Sequence, residues 1–533
     1  MIRQTRDRAL LFGIVIVAFA LHWWGIARTN LWLDETASVD LARLPLPALL
    51  EDVRHSPVTP GYYLLLKAWI ALFGSSPTAL RSLSALAAIA VIVLAYRLGQ
   101  SLFGTRTALL GAALLALSPV QLYFAQEARL YMLSAALATA VLLAYVSWRR
   151  TVISWNGETA RASGADRWRS GGALVLASVA LICTYPLGVL MLVALWFDAV
   201  PALWRARERG DVSAAARSWL LMQTAIALAG FPLLLRWDPS SALATQGWRQ
   251  HIGPLTASLE VERYALTQFR GIYVYPFEDA QAWLLFRADG ARWLPHFGNI
   301  LRLIWVGPVT LLALSACLIV AWRRGAPAAR RLLAWALLVT LGVLAILSSR
   351  QGLDLPRYAL FASPCLMLLV AEGLLQLRGR AQRLAASVLA VTLVIGLVQY
   401  TLVPSRDTDY RQVARLLGQS AQAGDRVSYR PWYAFSPLRY YVPTLQLLPR
   451  DASPDSIPDA VLASAVPSPG RRWLVVDYRA PDVFRAASDS LARRGERTAS
   501  DTMLPSGIRV IQFRSDDGTP PAASERTAPT SER

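Results

Sequence analysis

Charged and aromatic residues gather just beyond the ends of long apolar stretches at three separate places in the chain. In order, these are Asp34 and Glu35, then Glu127, Arg129 and Tyr131, then Arg350, Asp354, Arg357 and Tyr358. A carboxylate can accept a proton during a reaction, and a guanidinium offers forked donors that match phosphate oxygens. If the fold brings these groups together, they could transfer a proton beside a bound anion.

Each group also has a purely structural interpretation. Adjacent acids in a loop, such as Asp34 and Glu35, are usually solvated. Glu127 and Arg129 could form an interfacial ion pair between two helices, and Arg357 could reach lipid headgroups. No single group is specific, so a functional interpretation depends on their order and spacing.

A fourth segment, RHSPVTPGYYLLLKAW, carries His55, Tyr62 and Lys67. Its tyrosines and its lysine could simply anchor a helix at the membrane interface, where aromatic and basic side chains are common. The segment lies between the first and second long apolar stretches, so the topology decides whether it can join the other three groups.

The composition indicates an integral membrane protein. The chain has 533 residues, of which 55% are hydrophobic, and its mean hydropathy is +0.37. Its formal charge is +19, but the segment from residue 404 onward holds 18 Arg against 15 acids, so most of the excess lies among the apolar stretches. Short arginine clusters between apolar stretches record membrane orientation, and this distribution argues against a nucleic-acid partner.

The cysteines and histidines argue against a disulfide framework and a zinc enzyme. Cys183, Cys317 and Cys365 all fall inside apolar stretches, and the four histidines are scattered without metal-ligand spacing. No cofactor is therefore predicted with certainty. A divalent metal ion held by the acids remains open.

The apolar stretches predict a bundle of about eleven membrane spans. They lie near 9–27, 78–99, 107–124, 130–148, 171–203, 218–235, 301–321, 332–348, 357–377 and 384–403. If the arginine clusters are cytoplasmic, the stretch 171–203 must cross the bilayer twice, and the helix breakers Pro186 and Gly188 stand at its centre. The N-terminus is then cytoplasmic, retained as a first span, and the C-terminus lies outside.

This topology divides the chain into a membrane module, residues 1–403, and an outer domain, residues 404–515. The module includes a first outer loop, 28–77, and a large outer loop, 236–300. After residue 404, DYRQVARLLGQSAQAG and FRAASDSLARRG are predicted to be helices, and DRVSYR, RWLVVDY and GIRVIQF to be strands. They predict a small extracytoplasmic α/β domain. The polar tail 516–533 has nothing to bury and is predicted to be disordered. The predicted fold class is mainly α.

Four segments carry a family resemblance. LWLDETAS, HSPVTPGYYLLLKAWIALFG, ALRSLSALAAIAVIVLAYRLGQSLFG and LALSPVQLYFAQEARLYM resemble the start of GT-C glycosyltransferases. Within that group they are similar to the polyprenyl-phosphate-mannose mannosyltransferase-like family, glycosyltransferase family 39 type. The resemblance covers residues 30–135 and 349–377. It departs at His55-Ser56-Pro57, where the family often has His-Pro-Pro, and the loop 236–300 shows no matching motif.

The resemblance implies a membrane enzyme that moves a sugar, mannose-like or other, from a polyprenyl-phosphate donor to an acceptor hydroxyl with inversion. The acceptor would be a lipid, a polysaccharide or a protein at the outer face of the cytoplasmic membrane. Asp34 would be the general base, with Glu35 in a supporting or metal-binding role.

The resemblance also implies roles for the other residues. Arg357, with Tyr358 and Arg129, would bind the donor phosphate and stabilise the charge that develops as it leaves. The remaining candidates, assigned to the sugar or acceptor pocket, are Glu127, Tyr62, Tyr131, His55 and Lys67.

Two other functions are compatible with a polytopic chain. A lipid or sugar transporter would use the acids to carry protons, but it should place ionisable residues in the middle of helices. Here they stand at helix ends and in loops. A catalytically inactive scaffold could instead use the outer domain to bind a partner, although the presence of Asp34, Glu35, Glu127 and Arg357 together disfavours it.

Overall fold

A computed structural model describes most of the membrane module and parts of the outer domain. The described residues are 2–54, 56, 58–152, 164–207, 212–236, 253–270, 294–351, 354–402, 410–422, 425–430, 434–444, 446–448, 472–477, 496–504 and 508–515. His55, the predicted helix FRAASDSLARRG and the tail 516–533 lie outside them.

The chain divides into two compact units. The first comprises Met1–Thr29 and Ser38–Pro404, and the second comprises Asn30–Ala37 and Ser405–Arg533. The short segment Asn30–Ala37, called here the acidic segment because it holds Asp34 and Glu35, therefore groups with the C-terminal part of the chain.

Helices make up the described part of the first unit. They are α1 Ile2–Trp23, α2 Leu33–Arg43 (whose first turn belongs to the acidic segment), α3 Leu46–Arg54, α4 Pro60–Phe73, α5 Pro77–Leu102, α6 Thr105–Leu117, α7 Pro119–Ala125, α8 Tyr131–Val152, α9 Gly164–Thr184, α10 Val189–Arg207, α11 Val212–Arg236, α12 Gly253–Arg270, α13 Leu294–Arg324, α14 Pro327–Gln351, α15 Leu355–Tyr358, α16 Ser363–Gln376 and α17 Gly379–Leu402. Proline opens several of them, as at Pro60, Pro77 and Pro119, because its fixed φ suits a first helical turn.

The described helices confirm a polytopic membrane protein. Six of them are long and apolar enough to cross a membrane, or seven if the bent pair α6–α7 counts as one span. The helices α1, α9, α11 and α16 coincide with the other four predicted crossings, so eleven spans stay a prediction. The chain does break at the predicted place, because Pro186–Gly188 forms a 3-10 turn between α9 and α10.

Glycine allows two close helix contacts in this unit. A Cβ on Gly61 would lie 2.6 Å from the carbonyl oxygen of Cys183, and one on Gly373 would lie 1.8 Å from that of Cys317. The start of α4 can approach the end of α9 this closely because Gly61 has no side chain. For the same reason, Gly373 allows α16 to approach α13.

The second unit is built around a five-stranded mixed sheet. Its strands are β1 Arg426–Arg430, β2 Gln446–Leu448, β3 Arg472–Asp477, β4 Glu496–Met503 and β5 Ile508–Ser515, in the order β2-β1-β3-β5-β4. The strand β1 runs parallel to β2 and β3, while β5 runs antiparallel to β3 and β4. Two helices, α18 Tyr410–Ser420 and α19 Phe435–Tyr441, accompany the sheet.

The helix predicted over DYRQVARLLGQSAQAG is present as α18, and the strands predicted at DRVSYR, RWLVVDY and GIRVIQF are present as β1, β3 and β5. The helix α18 buries Tyr410, Val413 and Leu417 at helical spacing, in one hydrophobic core with Val427 and Val475 of the sheet. The sequence did not indicate β4, ERTASDTM, because an edge strand this polar lacks an apolar alternation.

Candidate functional site

Two arginines flank one tyrosine ring in the first unit. The Nε of Arg357 donates a hydrogen bond of 2.5 Å to the hydroxyl of Tyr131, and its guanidinium lies 5.1 Å from the centre of that ring. The guanidinium of Arg129 lies 5.9 Å from the same centre. Because a ring face attracts cations, the Tyr131 ring can attract both guanidiniums.

Tyr185 and Tyr358 complete this group, called here the Arg–Tyr cluster: Arg129, Tyr131, Tyr185, Arg357 and Tyr358. The hydroxyl of Tyr185 donates to the carbonyl oxygen of Tyr358 at 2.9 Å. The rings of Tyr131 and Tyr185 meet edge to face at 6.4 Å. Tyr185 stands directly before the 3-10 turn, so the break between α9 and α10 brings its side chain to the segment that carries Arg357.

A tight turn between α7 and α8 places Arg129. The N–H of Arg129 donates to the carbonyl of Glu127 at 2.8 Å, and the Ser84 hydroxyl donates to the carbonyl of Arg129 at 3.2 Å. The Arg129 side chain donates to the Ser38 hydroxyl at 2.8 Å. Both ends of the residue are therefore held.

The neighbouring residues of this turn are buried. Glu127 is 1% exposed. The Gln126 amide donates to the carbonyls of His22 and Trp24, at 3.0 and 2.9 Å, and accepts a hydrogen bond from the hydroxyl of Tyr400. The end of α1 and the end of α17 thus fix the turn that carries Glu127 and Arg129.

The two carboxylates of the acidic segment differ in burial and in hydrogen bonding. Glu35 is fully buried, and its Oε2 accepts the backbone N–H of Trp32 at 3.3 Å. That is the bond a third helical residue makes to a helix N-cap, so Glu35 helps start α2. Asp34 is partly buried and occupies the first turn, where acidic residues are common because the helix dipole is positive there.

Another hydrogen bond within the second unit holds the backbone of the acidic segment. The hydroxyl of Tyr441, the last residue of α19, accepts the N–H of Leu31 at 2.7 Å. Leu31 is buried and stands three residues before Asp34.

Tyr62 and Lys67 lie on α4, away in sequence from the cluster. Tyr62 is fully buried and packs edge to face on Tyr63. The Lys67 ammonium donates to the carbonyls of Ala42 and Leu44, at 3.2 and 2.6 Å, so it caps the C-terminal end of α2. The pocket roles of both residues stay predictions.

In the part of the chain that the structure describes, no group of three or more His, Cys, Asp or Glu side chains is arranged to hold a metal ion. Glu35 bonds to the backbone N–H of Trp32, and a metal-binding role for Glu35 stays a prediction.

No family model and no curated protein gives a significant match to the chain. Solved structures do match. ArnT from Cupriavidus metallidurans in the apo state shares 14% identity over 95% of this chain and 98% of its own, with a TM-score of 0.57. The same protein bound to undecaprenyl phosphate shares 14% identity over 94% and 97%, with a TM-score of 0.52.

A third match is the Archaeoglobus fulgidus oligosaccharyltransferase in the apo form. It shares 11% identity over 96% of this chain and 74% of its own, with a TM-score of 0.53. The chain has the GT-C glycosyltransferase fold. The fold resemblance stated from the sequence is therefore confirmed, at an identity too low to carry any residue's role.

Within the GT-C fold, the structure brings together Arg129, Tyr131, Arg357 and Tyr358, which were all candidates from the sequence. The sequence did not identify Tyr185, because the adjacent Pro186 and Gly188 indicate only a helix break. It also missed Ser38 and Tyr441, which have no local signature. Only their contacts distinguish them from other polar residues.

Proposed function

We propose that the protein is a membrane glycosyltransferase that moves a sugar from a polyprenyl-phosphate donor to an acceptor hydroxyl, with inversion. The observation that carries the proposal is the pair of arginines on Tyr131, one of them hydrogen-bonded to its hydroxyl. Two guanidiniums beside the same ring can both donate hydrogen bonds to phosphate oxygens, and their charges suit a phosphate that gains negative charge as it leaves. A protein of the same fold has been solved with undecaprenyl phosphate bound, which supports a lipid of that class.

On the donor side, Arg357 contacts the phosphate that leaves. Tyr131 orients the guanidinium by accepting a hydrogen bond from its Nε, and a guanidinium can donate forked hydrogen bonds to phosphate oxygens. Arg129 adds a second charge, and the bond from Tyr185 fixes the backbone at Tyr358. Because the arrangement exists before the reaction, it can stabilise developing charge at little reorganisation cost.

On the acceptor side, Asp34 is the general base. The acceptor O–H gives its proton to the Asp34 carboxylate as its oxygen forms a bond to the anomeric carbon. The bond from that carbon to the phosphate oxygen breaks, and polyprenyl phosphate leaves with the electron pair. One displacement from the opposite side inverts the anomeric centre. Glu35, already bonded to Trp32, supports the turn.

The proposed site faces the outside of the cytoplasmic membrane. The arginine clusters support this orientation through the positive-inside bias. In a Cys-free background, a cysteine at the exposed position Ala165 should resist a membrane-impermeant thiol reagent in intact cells, whereas one at Thr444 should react. The reverse labelling pattern would contradict the orientation.

A transporter remains the alternative, and one observation favours the enzyme. Arg129 lies in a turn and Arg357 lies on the four-residue helix α15, whereas transport of protons or ions favours ionisable groups within spans.

The deciding experiment incubates purified protein with a panel of radiolabelled polyprenyl-phosphate sugars, mannose included, and with lipid, polysaccharide and peptide acceptors. Release of free polyprenyl phosphate that depends on an acceptor supports the transferase. Movement of intact donor across a proteoliposome, with no cleavage by any member of the panel, would instead identify a transporter.

A further inference from the structure

The large outer loop 236–300 has no motif that suggests a role, yet its helix α12 contacts the segment that carries Arg357. The Oε2 of Glu260 accepts the backbone N–H of Leu355 at 3.3 Å. Leu355 is the first residue of α15, two residues before Arg357. Such first-turn N–H groups have no partner inside their own helix, so Glu260 supplies one from a distant part of the chain.

Arg263 extends this contact to a second point on the same segment. Its Nη1 lies 3.0 Å from one Glu260 oxygen and 3.2 Å from the other. Its Nη2 forms an ion pair with Asp354 at 3.2 Å. One arginine therefore joins a carboxylate of α12 to the residue that precedes α15.

Two members of this charged group are largely shielded from water, while the side chain of Asp354 is 35% exposed. The side chains of Glu260 and Arg263 are 14% and 11% exposed. Burial raises the pKa of Glu260, while the charge of Arg263 and the Leu355 amide oppose that shift. Removing one member of a buried, bonded set leaves the others without compensation, so the contact is well suited to hold a backbone in place.

We propose that α12 is the positioning element for Arg357, and that Glu260, with Arg263, is the positioning residue that fixes the start of α15. This inference rests on the proposed function. Arg357 is then held in two ways, by Tyr131 at its side chain and by Glu260 through the backbone of Leu355, two residues before it. Glu260 touches no reacting atom in this role and acts only through Arg357.

The first measurement does not depend on catalysis. Hydrogen exchange of the peptide that contains Leu355–Leu360 is compared between wild type, Glu260→Ala, Glu260→Gln and Glu262→Gln, in the full-length protein in detergent. Glu262 is an exposed acid on the same helix and serves as the matched control. Exchange should be fastest in Glu260→Ala. It should be closer to wild type in Glu260→Gln, which keeps an acceptor oxygen, and unchanged in Glu262→Gln.

The second measurement is a double-mutant cycle on donor turnover. Since small misplacements of a positioned group can cost up to ~10²-fold in rate, Glu260→Ala should lower kcat/KM by about 10- to 100-fold, with partial rescue in Glu260→Gln. In an Arg357→Ala background the same change should cost less than about twofold, because the residue it positions is gone.

Two outcomes would overturn the inference. One is an unchanged exchange rate at Leu355–Leu360 in Glu260→Ala. The other is that Glu260→Ala reduces turnover by the same factor in the wild-type and Arg357→Ala backgrounds and also lowers the Tm. That result would mean that Glu260 contributes only to general packing. If wild type cleaves no lipid-linked donor, the proposed function fails, and the exchange result still decides whether Glu260 holds α15.

Discussion

The acidic segment and the Arg–Tyr cluster both place charged side chains at turns, but different parts of the chain hold them. Asp34 and Glu35 group with the C-terminal unit, where Tyr441 bonds the backbone of Leu31. Arg129 and Arg357 belong to the helical unit, where Tyr131 contacts both. These contacts of the proposed base and of the proposed phosphate ligands therefore lie in different units, although Arg129 also donates to Ser38, on the helix whose first turn holds Asp34 and Glu35.

The comparison separates residues that build a turn from residues that can react. Glu35 is buried and bonded to the backbone at its own helix start, whereas its neighbour Asp34 is partly exposed. In a helix, adjacent side chains point about 100° apart, so the two carboxylates cannot share one role. The same reasoning separates Arg357, beside Tyr131, from the exposed Arg350 at the end of α14.

The largest effect is expected at Asp34. Asp34→Asn keeps the shape and removes the proton acceptor, so turnover should fall by about 10²–10⁴-fold. Binding of polyprenyl phosphate should be unchanged, because its proposed ligands are the arginines of the Arg–Tyr cluster. The measurement is release of free polyprenyl phosphate beside a binding assay.

Glu35→Gln is the matched control for that change. It keeps an oxygen for the Trp32 amide and should reduce turnover far less. Wild-type turnover in Asp34→Asn would remove Asp34 from the mechanism. A larger loss in Glu35→Gln than in Asp34→Asn would reverse the roles of the two acids.

The next effect is expected at Arg357. Arg357→Ala should cost about 2–4 kcal/mol of transition-state stabilisation, the size associated with losing one charge-stabilising group. Arg357→Lys keeps the charge but loses the fork and the Nε bond to Tyr131, so it should restore activity only in part. Steady-state kinetics with varied donor measures both changes.

Arg350→Ala provides the comparison, since Arg350 is exposed and lies just before the same segment. It should leave donor turnover within about twofold of wild type, as is usual for exposed substitutions. If Arg357→Ala behaved like Arg350→Ala, Arg357 would be only an interfacial anchor, and the Arg–Tyr cluster would lose its proposed role.

The sequence predicted most of the helices of the first unit, because the length and composition of an apolar stretch directly indicate a membrane-spanning helix. Helices occupy each predicted stretch, and Pro186 marks the break between α9 and α10. The contacts that define the site are less predictable. Glu260 meets a residue 95 positions away, and Tyr441 meets one 410 positions away, and no local pattern encodes such pairings.

A smaller effect is expected at Tyr441. Tyr441→Phe removes the acceptor for the Leu31 amide, a bond worth about 0.5–1.5 kcal/mol. If the C-terminal unit positions Asp34, turnover should fall by about 2- to 10-fold without a change in donor binding. The change should have no further effect in an Asp34→Asn background.

Tyr440→Phe is the control for Tyr441→Phe. Tyr440 is the preceding residue of α19, and its ring packs edge to face on that of Tyr441. It should leave turnover near wild type. Equal losses in the two variants, with matching losses of Tm, would show that the hydroxyl bond to Leu31 has no special importance.

The smallest effect is expected at the ion pair between Asp501 and Arg509. Removing this pair tests whether the stability of the sheet by itself affects the function of Asp34. The pair joins β4 to β5 with a contact of 2.5 Å, and both side chains are about a third exposed. The hydrogen bond from Arg509 lowers the pKa of Asp501. Asp501 therefore stabilises the folded state above its unfolded pKa of about 3.9, and that stabilisation is lost as the pH falls through the lower folded pKa.

Because exposed ion pairs contribute about 0–1 kcal/mol, Asp501→Asn should lower the Tm slightly at pH 7. The difference from wild type should shrink as the pH is lowered below 4. Turnover at pH 7 should not change, since the ion pair joins β4 to β5 and does not include α19. Thermal unfolding across pH measures the first effect, and release of polyprenyl phosphate measures the second. A clear loss of turnover in Asp501→Asn would mean that general stability of the sheet, and not the Tyr441 contact, governs Asp34.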